Sequence, residues 1–293
     1  MISIKLSGGI GNQLFQLFAA KYLANMRKDE LHVIFDLSPK GAYQHGEPIS
    51  RLEFNFNFME SKSSFENGLR ERFEFQVFKK LPGVYIKYQI LFKNYKSQVT
   101  GYDPVLGELG RDKLIQGYFQ TFRYYRSLVT LNPNISLVRP KNLSTQLLNY
   151  TRKMADENPV VVHLRRGDYV GNSNTGLLSK EYYFDALDSI GEPTRAVWVF
   201  SDDIQNAREE LGHTRSRYWR WISHNDLVSP NENLYLMSLT RDMVIGNSTF
   251  SYWAASINAP KNILAPKKWF RNQEDPRDLY PPEWKTIQSS WVG

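Results

Sequence analysis

Apolar and polar positions along this chain follow two rhythms. Ile2, Ile4 and Leu6 take every second place, the period of a half-buried strand, and Leu14, Leu17, Phe18 and Tyr22 then recur at helical spacing. Leu31–Asp36 reads as a second strand. From Leu37 to about Tyr95 no period holds, and Glu47–Glu60, rich in Phe and Asn, reads as loops and short helices. Leu114–Gln120 predicts a strand ending in a polar turn. Pro140–Asn158 predicts a helix leading out of a first domain, closed by Asn158-Pro159.

After Pro159 the pattern becomes cyclic. Val160–Leu164 is a β-branched apolar run, as in a strand buried on both faces. A polar loop at Gly171–Gly176 leads to a helix over Lys180–Ile190. Ala196–Phe200 is a strand, and Ser201-Asp202-Asp203 caps the helix after it. Trp219–Ile222 is a further strand. Ser229-Pro230-Asn231-Glu232 is a capping box with proline at the first helical position. Asp242–Gly246 predicts a strand, Asn247–Ser251 opens a helix over Tyr252–Asn258, and Ile263–Ala265 is the last strand before an aromatic, proline-rich tail. This alternation predicts an α/β fold, a parallel sheet with helices on both faces, in two domains spanning 1–150 and 151–293.

Composition narrows the picture. Hydrophobic residues at 41% and charged residues at 23% of 293 positions mark a globular chain long enough for two domains. Lys+Arg exceed Asp+Glu by 37 to 30, and this net charge of +7 favours a polyanionic ligand. A nucleotide-sugar enzyme, a nucleic-acid binder and a peripheral membrane protein all fit. The absence of cysteine excludes a disulfide framework and a thiolate metal site. The apolar run within Met1–Ser7 is too short for a signal peptide and no stretch approaches a membrane span, so the expectation is a cytoplasmic protein. Sequons at Asn134, Asn142, Asn149 and Asn247 are then chance matches. Arg70–Lys93 mixes aromatics with basic residues. That suits nucleic acid or a membrane surface, but core rings rimmed by solvated lysines are the simpler account.

In open α/β sheets, ligands bind beyond the carboxyl ends of the strands, so the turns there hold the candidate chemistry. Arg165 and Arg166, with Asp168 beside them, follow Leu164; guanidinium forks grip a diphosphate, although a surface ion-pair cluster has the same composition. Asp202 and Asp203 suit a guanine edge or a ribose diol, or simple helix capping. Ser248, Thr249 and Ser251 place hydroxyls and N–H groups at a helix start, which suits a phosphate or, again, a cap. Three such sets on one edge are harder to explain by capping alone. In the first domain Gly9-x-Gly11 lacks the third glycine of a dinucleotide fingerprint and is not a Walker loop, yet the Asn12 and Gln13 amides suit a phosphate or sugar hydroxyl. Thr121–Tyr125 is dense in sugar-binding groups. His163 stands alone at its strand end, structural or functional with equal reason, with no neighbouring ligand pair for a metal.

Three stretches together resemble the bacterial α-1,2-fucosyltransferases, glycosyltransferase family 11: Gly8-Gly9-Ile10-Gly11-Asn12-Gln13-Leu14-Phe15-Gln16, His163-Leu164-Arg165-Arg166-Gly167-Asp168-Tyr169 and Asn247-Ser248-Thr249-Phe250-Ser251-Tyr252-Trp253-Ala254-Ala255. Phe200–Asp203 and Ala265–Phe270 strengthen the resemblance. It implies a GT-B-type architecture, two Rossmann-like domains facing a cleft. GDP-β-L-fucose would lie on the second domain, and a terminal galactoside would enter from the first. It further implies inverting, α-1,2-linking transfer with no metal or other cofactor. Arg165, with or without Arg166 beside it, would then meet the charge on the leaving β-phosphate, helped by N–H groups of Ser248, Thr249, Phe250 and Ser251. Asn12, flanked by Gly11 and Gln13, would reach the β-phosphate or fucose. His163 would sit by the ribose or guanine and Asp202 or Asp203 by the guanine edge. Asp168 would act as base or orient the arginines. The expected partners are GDP-fucose and a galactoside acceptor, lipid-linked in O-antigen or lipopolysaccharide synthesis at the inner face of the membrane, and no nucleic acid. The competing readings are a basic module that binds nucleic acid or anionic membranes through residues 70–96 without catalysis, and a sugar-binding protein without catalysis.

Overall fold

The computed structural model describes residues 1–38, 41–42, 48–63, 94–212, 218–223, 229–258 and 262–292; the basic aromatic stretch at 70–93 lies outside them. The chain forms two compact units. The first comprises Met1–Ile49, Phe56–Pro133 and Pro276–Leu279, and the second Ser50–Asn55, Asn134–Asp275 and Tyr280–Gly293. The main division therefore falls after Pro133 rather than at 150. The helix expected to lead out of the first domain lies wholly in the second.

In the first unit, strands β1 (Ile2–Leu6), β2 (Leu31–Asp36), β4 (Met59–Ser63), β5 (Asn94–Lys96) and β6 (Leu114–Gln116) form one parallel sheet in the order β4-β2-β1-β6-β5. Helix α1 (Ile10–Arg27) follows β1, and α2 (Phe122–Leu131) follows β6. The alternating Ile2, Ile4 and Leu6 are fully buried, as are Leu14, Leu17 and Leu23 of α1. Loops and short helices were expected around Glu47–Glu60, but β4 begins at Met59 and pairs with β2 from His32↔Met59 to Asp36↔Ser63. As an edge strand it is largely solvated and so carries no apolar alternation.

The turn between β1 and α1 is held by amides. Gln13, 1% exposed, donates from Nε2 to Gly8 O and Ala42 O, both at 2.7 Å, and accepts from Ile49 N at 3.1 Å. Gln16 accepts from Ser7 N at 2.9 Å. Pro276–Leu279 completes this unit: Tyr102 N donates to Arg277 O (3.0 Å), while Phe122 N (3.1 Å) and Thr121 Oγ1 (2.6 Å) both donate to Asp278 O.

In the second unit, β3 (Leu52–Phe54) and β7 (Val138–Pro140) make an antiparallel ribbon. The main sheet holds β8 (Val160–Leu164), β9 (Val197–Ser201), β10 (Trp219–Ile222), β11 (Asp242–Val244), β12 (Asn262–Pro266) and β13 (Lys285–Ile287). All run parallel, in the order β10-β9-β8-β11-β12-β13. Counted within the unit this is the dinucleotide-fold order, with its topological switch point between β8 and β11. Every residue of β8 is buried, as the apolar run predicts. Val160, Val162 and Leu164 pack with Tyr182, Tyr183 and Leu187 of helix α4 (Lys180–Ile190). Two Rossmann-like α/β units are thus present, the components of the GT-B-type architecture. Among the described residues no helix is long and apolar enough to cross a membrane.

Helix α3 spans Thr145–Glu157, α5 Ile204–Leu211, α6 Pro230–Ser238 and α7 Thr249–Ser256. The predicted capping box at α6 is only half made. Ser229 Oγ accepts from Glu232 N (3.4 Å), but the Glu232 carboxylate accepts from Ser144 N (2.8 Å), the capping residue of α3. One buried carboxylate therefore ties the starts of two helices, and α3 packs on α6 within the second unit.

Replacing Gln13 by Ala leaves three backbone groups without partners. Gly8 is only part-buried and its carbonyl can turn to water, so the other two groups, at about 1–3 kcal/mol each, set an expected loss of roughly 2–6 kcal/mol in urea unfolding. An unchanged midpoint would contradict the bridging role.

Candidate functional site

The switch point of the second sheet brings the turn after β8 against the turn after β11. A Cβ on Gly246 would lie 2.9 Å from His163 O and 3.7 Å from Arg165 N, so glycine there lets the two turns touch. Tyr169 reinforces the contact, its hydroxyl donating to Asn247 O at 3.1 Å. Burial pushes the Tyr169 phenol up to about 12, which keeps it a proton donor.

The two arginines point to different tasks. Arg165, a quarter exposed, reaches Asp168 Oδ1 from Nε (2.9 Å) and Nη2 (2.6 Å), and Asp202 Oδ2 from Nη1 (3.2 Å). Its guanidinium also lies 5.6 Å from the centre of the Tyr169 ring. Arg166 is 2% exposed and points inward. Its Nε (2.9 Å) and Nη2 grip both Glu210 oxygens, Nη2 also meets Leu178 O (3.1 Å), and Nη1 meets Arg165 O (2.9 Å). Burial opposes its charge, but the neighbouring Tyr183 and Glu210 oxygens hold its pKa above the ordinary arginine value. Of the two arginines offered for a diphosphate, Arg166 is turned inward and only Arg165 is part-exposed. One buried guanidinium braces the turn and the other stands at its mouth.

Asp202 and Asp203 also fill structural places. Asp202 Oδ1 accepts from Arg166 N at 2.7 Å and Oδ2 pairs with Arg165. Asp203 caps α5, accepting from Asn206 N at 3.2 Å. Both carboxylates are thus engaged in holding the local chain. Ser248 caps α7 through Phe250 N (3.3 Å), and fully buried Ser251 donates to Gly246 O (3.3 Å) and Ser248 O (3.1 Å). Thr249 and Phe250 are part-exposed at the helix start, and the Phe250 ring lies 5.7 Å from that of buried His163. Arg165 with Asp168 on the turn after β8, and Thr249 and Phe250 at the start of α7 with Phe250 beside His163, therefore remain as candidates at this switch point.

Sequence reasoning passed over Asn247 as a chance sequon. It is 2% exposed, and its Nδ2 lies 3.1–3.2 Å from Thr175 O, Gly176 O and Trp269 O. It pins the polar loop at 171–176 and the tail beside the switch point. Its position one residue before a serine cap, on a strand end, is the signal that marks it.

In the first unit the switch point lies between β1 and β6. Gly8 has φ +74°, Gly11 is buried within α1, and part-exposed Asn12 accepts from Gln120 Nε2 at 3.0 Å. Gln13, expected to reach a ligand, has its amide occupied by backbone instead. Thr121–Tyr125, expected to bind sugar, opens α2: Thr121 caps the helix, accepting from Arg123 N (3.3 Å), and Tyr124 is buried. Among the described residues no group of three or more His, Asp or Glu side chains gathers as a metal would require.

The chain matches the family model described as Glycosyl transferase family 11 over residues 1–288. It is similar to the O-antigen biosynthesis glycosyltransferase WbnK of Escherichia coli, 27% identical with 98% of each chain covered. It is equally similar to the alpha-1,2-colitosyltransferase of Escherichia coli, 27% identical over 98% of this chain and 99% of the relative. Among solved structures it is similar to E. coli ADP-heptose lipopolysaccharide heptosyltransferase II, 11% identical with a TM-score of 0.49, covering 98% of this chain and 89% of that one.

Glu210→Ala would leave the Arg166 guanidinium buried and unpaired. Breaking a buried pair costs about 3–5 kcal/mol; because Glu210 is itself a third exposed, a loss near the lower end is expected in chemical denaturation. Arg165→Ala is expected to change the same midpoint little. Equal losses from the two variants would refute the division of labour.

Proposed function

We propose that this chain, which belongs to glycosyl transferase family 11, transfers L-fucose from GDP-β-L-fucose to the 2-hydroxyl of a terminal galactoside, with inversion at the anomeric carbon, in the synthesis of a surface O-antigen polysaccharide. One observation carries the reading: a single part-exposed guanidinium, Arg165, stands at the carboxyl end of β8, at the switch point of a sheet in dinucleotide-fold order. Cleavage of the sugar C1–O bond leaves a growing negative charge on the β-phosphate. A fixed cation there stabilises the transition state more than the ground state.

In this reading Arg165 exchanges Asp168 for the diphosphate oxygens and keeps its tie to Asp202. The half-exposed Asp168 carboxylate is then released beside the reacting centre, where it can take the proton of the acceptor hydroxyl. N–H groups at the start of α7 add to the field on the phosphates. His163 and Phe250 supply a ring wall for the nucleoside. No divalent cation is needed, because Arg165 meets the charge one would meet. The acceptor is lipid-linked, which brings the protein to the inner face of the membrane.

A second donor is favoured by a specific observation. A relative at 27% identity is named an alpha-1,2-colitosyltransferase, so GDP-colitose with the same linkage is the alternative to GDP-fucose.

Both donors, offered with a panel of β-galactosides, test the assignment. Arg165→Ala is expected to lower kcat by about a hundred- to a thousandfold, as removal of an oxyanion-type donor does. GDP at a hundred times its Kd is expected to stabilise the wild type by about 2.7 kcal/mol. Chelator is expected to leave the rate unchanged. Transfer from neither donor, near-normal turnover of the variant, or strict dependence on Mg²⁺ or Mn²⁺ would overturn the reading. Salt-sensitive oligonucleotide or vesicle binding without GDP stabilisation would point to the non-catalytic module instead.

A further inference from the structure

Gln120 lies just past β6, across the first sheet's switch point from the glycine turn. Its backbone N–H donates to Thr100 O at 2.7 Å, and the residue is 7% exposed. Its Nε2 donates to Asn12 Oδ1 at 3.0 Å, while its own Oε1 is buried with no partner among the described residues. Native structures leave few buried side-chain acceptors unpaired, and a residue serving packing alone would not need an amide here.

The other end of the Asn12 amide is placed by a glycine. A Cβ on Gly8 would lie 3.0 Å from Asn12 Nδ2, and Gly8 holds φ +74°, so the nitrogen rests over a position only glycine fills without strain. With Oδ1 engaged by Gln120, Nδ2 is the end of Asn12 left to donate. We propose that Gln120 is a positioning residue for Asn12: it fixes the amide so that the donor end, not the acceptor end, faces a ligand at this first-unit switch point. This inference rests on the transferase reading above for the identity of the ligand. The orientation of Asn12 itself does not depend on it.

The test is a double-mutant cycle joined to crystallography. Gln120→Leu is expected to lower kcat by about ten- to a hundredfold with a much smaller change in KM for the donor. Gln120→Glu keeps the shape but, ionised, only accepts; Asn12 then turns Nδ2 to the carboxylate and presents Oδ1, and the loss is expected to be at least as large. Asn12→Ala combined with Gln120→Leu is expected to be no slower than Asn12→Ala alone, since Gln120 acts only through Asn12. Losses that multiply, or a Gln120→Glu variant as active as wild type, would overturn the proposal. Crystals of Gln120→Leu supply a reading independent of activity: Asn12 is expected to leave its place over Gly8, and an unmoved side chain overturns the inference. Should the wild type transfer from neither donor, the transferase reading falls while the crystals still decide the pairing.

Discussion

The Asp202 carboxylate is the constraint on which the second unit's crevice depends. Its Oδ1 takes the Arg166 backbone N–H at 2.7 Å and its Oδ2 pairs with the Arg165 guanidinium at 3.2 Å. The same oxygen would lie 2.3 Å from a Cβ on Gly167. A side chain at 167 would therefore push the carboxylate off the turn. With Asp202 in place, the chain leaving β8 is forced round so that consecutive arginines diverge. Arg166 runs down into the protein to meet Glu210, and Arg165 stays at the rim. A carboxylate just past the neighbouring strand β9 thus holds the turn from which the two adjacent cations part, one of them toward Glu210.

How much of this was legible in the sequence depends on whether the signal was local. Val160–Leu164 announced a doubly buried strand because burial on both faces leaves no polar positions, and Lys180–Ile190 announced its helix by period alone. The edge strand Met59–Ser63 was silent because half of it meets water, and β13 because its three residues are stabilised by pairing rather than composition. The candidate turns were legible as places. The direction of each side chain was not. Nothing local distinguishes Arg165 from Arg166, since the partner that separates them, Glu210, lies on a different helix.

Buried amides and carboxylates beside the turns act in several cases as struts, Gln13 among them although the sequence suggested a ligand group there. Gln13, Asn247 and Glu232 all satisfy backbone groups that tight turns leave unpaired. Sharp turns that bring ligands close to the backbone expose its N–H and C=O groups, and in a buried setting these must find partners. A sequence rich in Asn and Gln beside glycines therefore marks a crowded turn first, and only the atoms that remain, such as Asn12 Nδ2 and the outer face of Arg165, are candidates for chemistry.

The piece Pro276–Leu279, which closes the first unit against Tyr102, Thr121 and Phe122, comes from near the far end of the chain. An amino-terminal unit emerging during synthesis therefore lacks these acceptors until residues 276–279 have been made. Neither unit is a separable module, and a single cut anywhere between them yields a fragment missing part of its own wall.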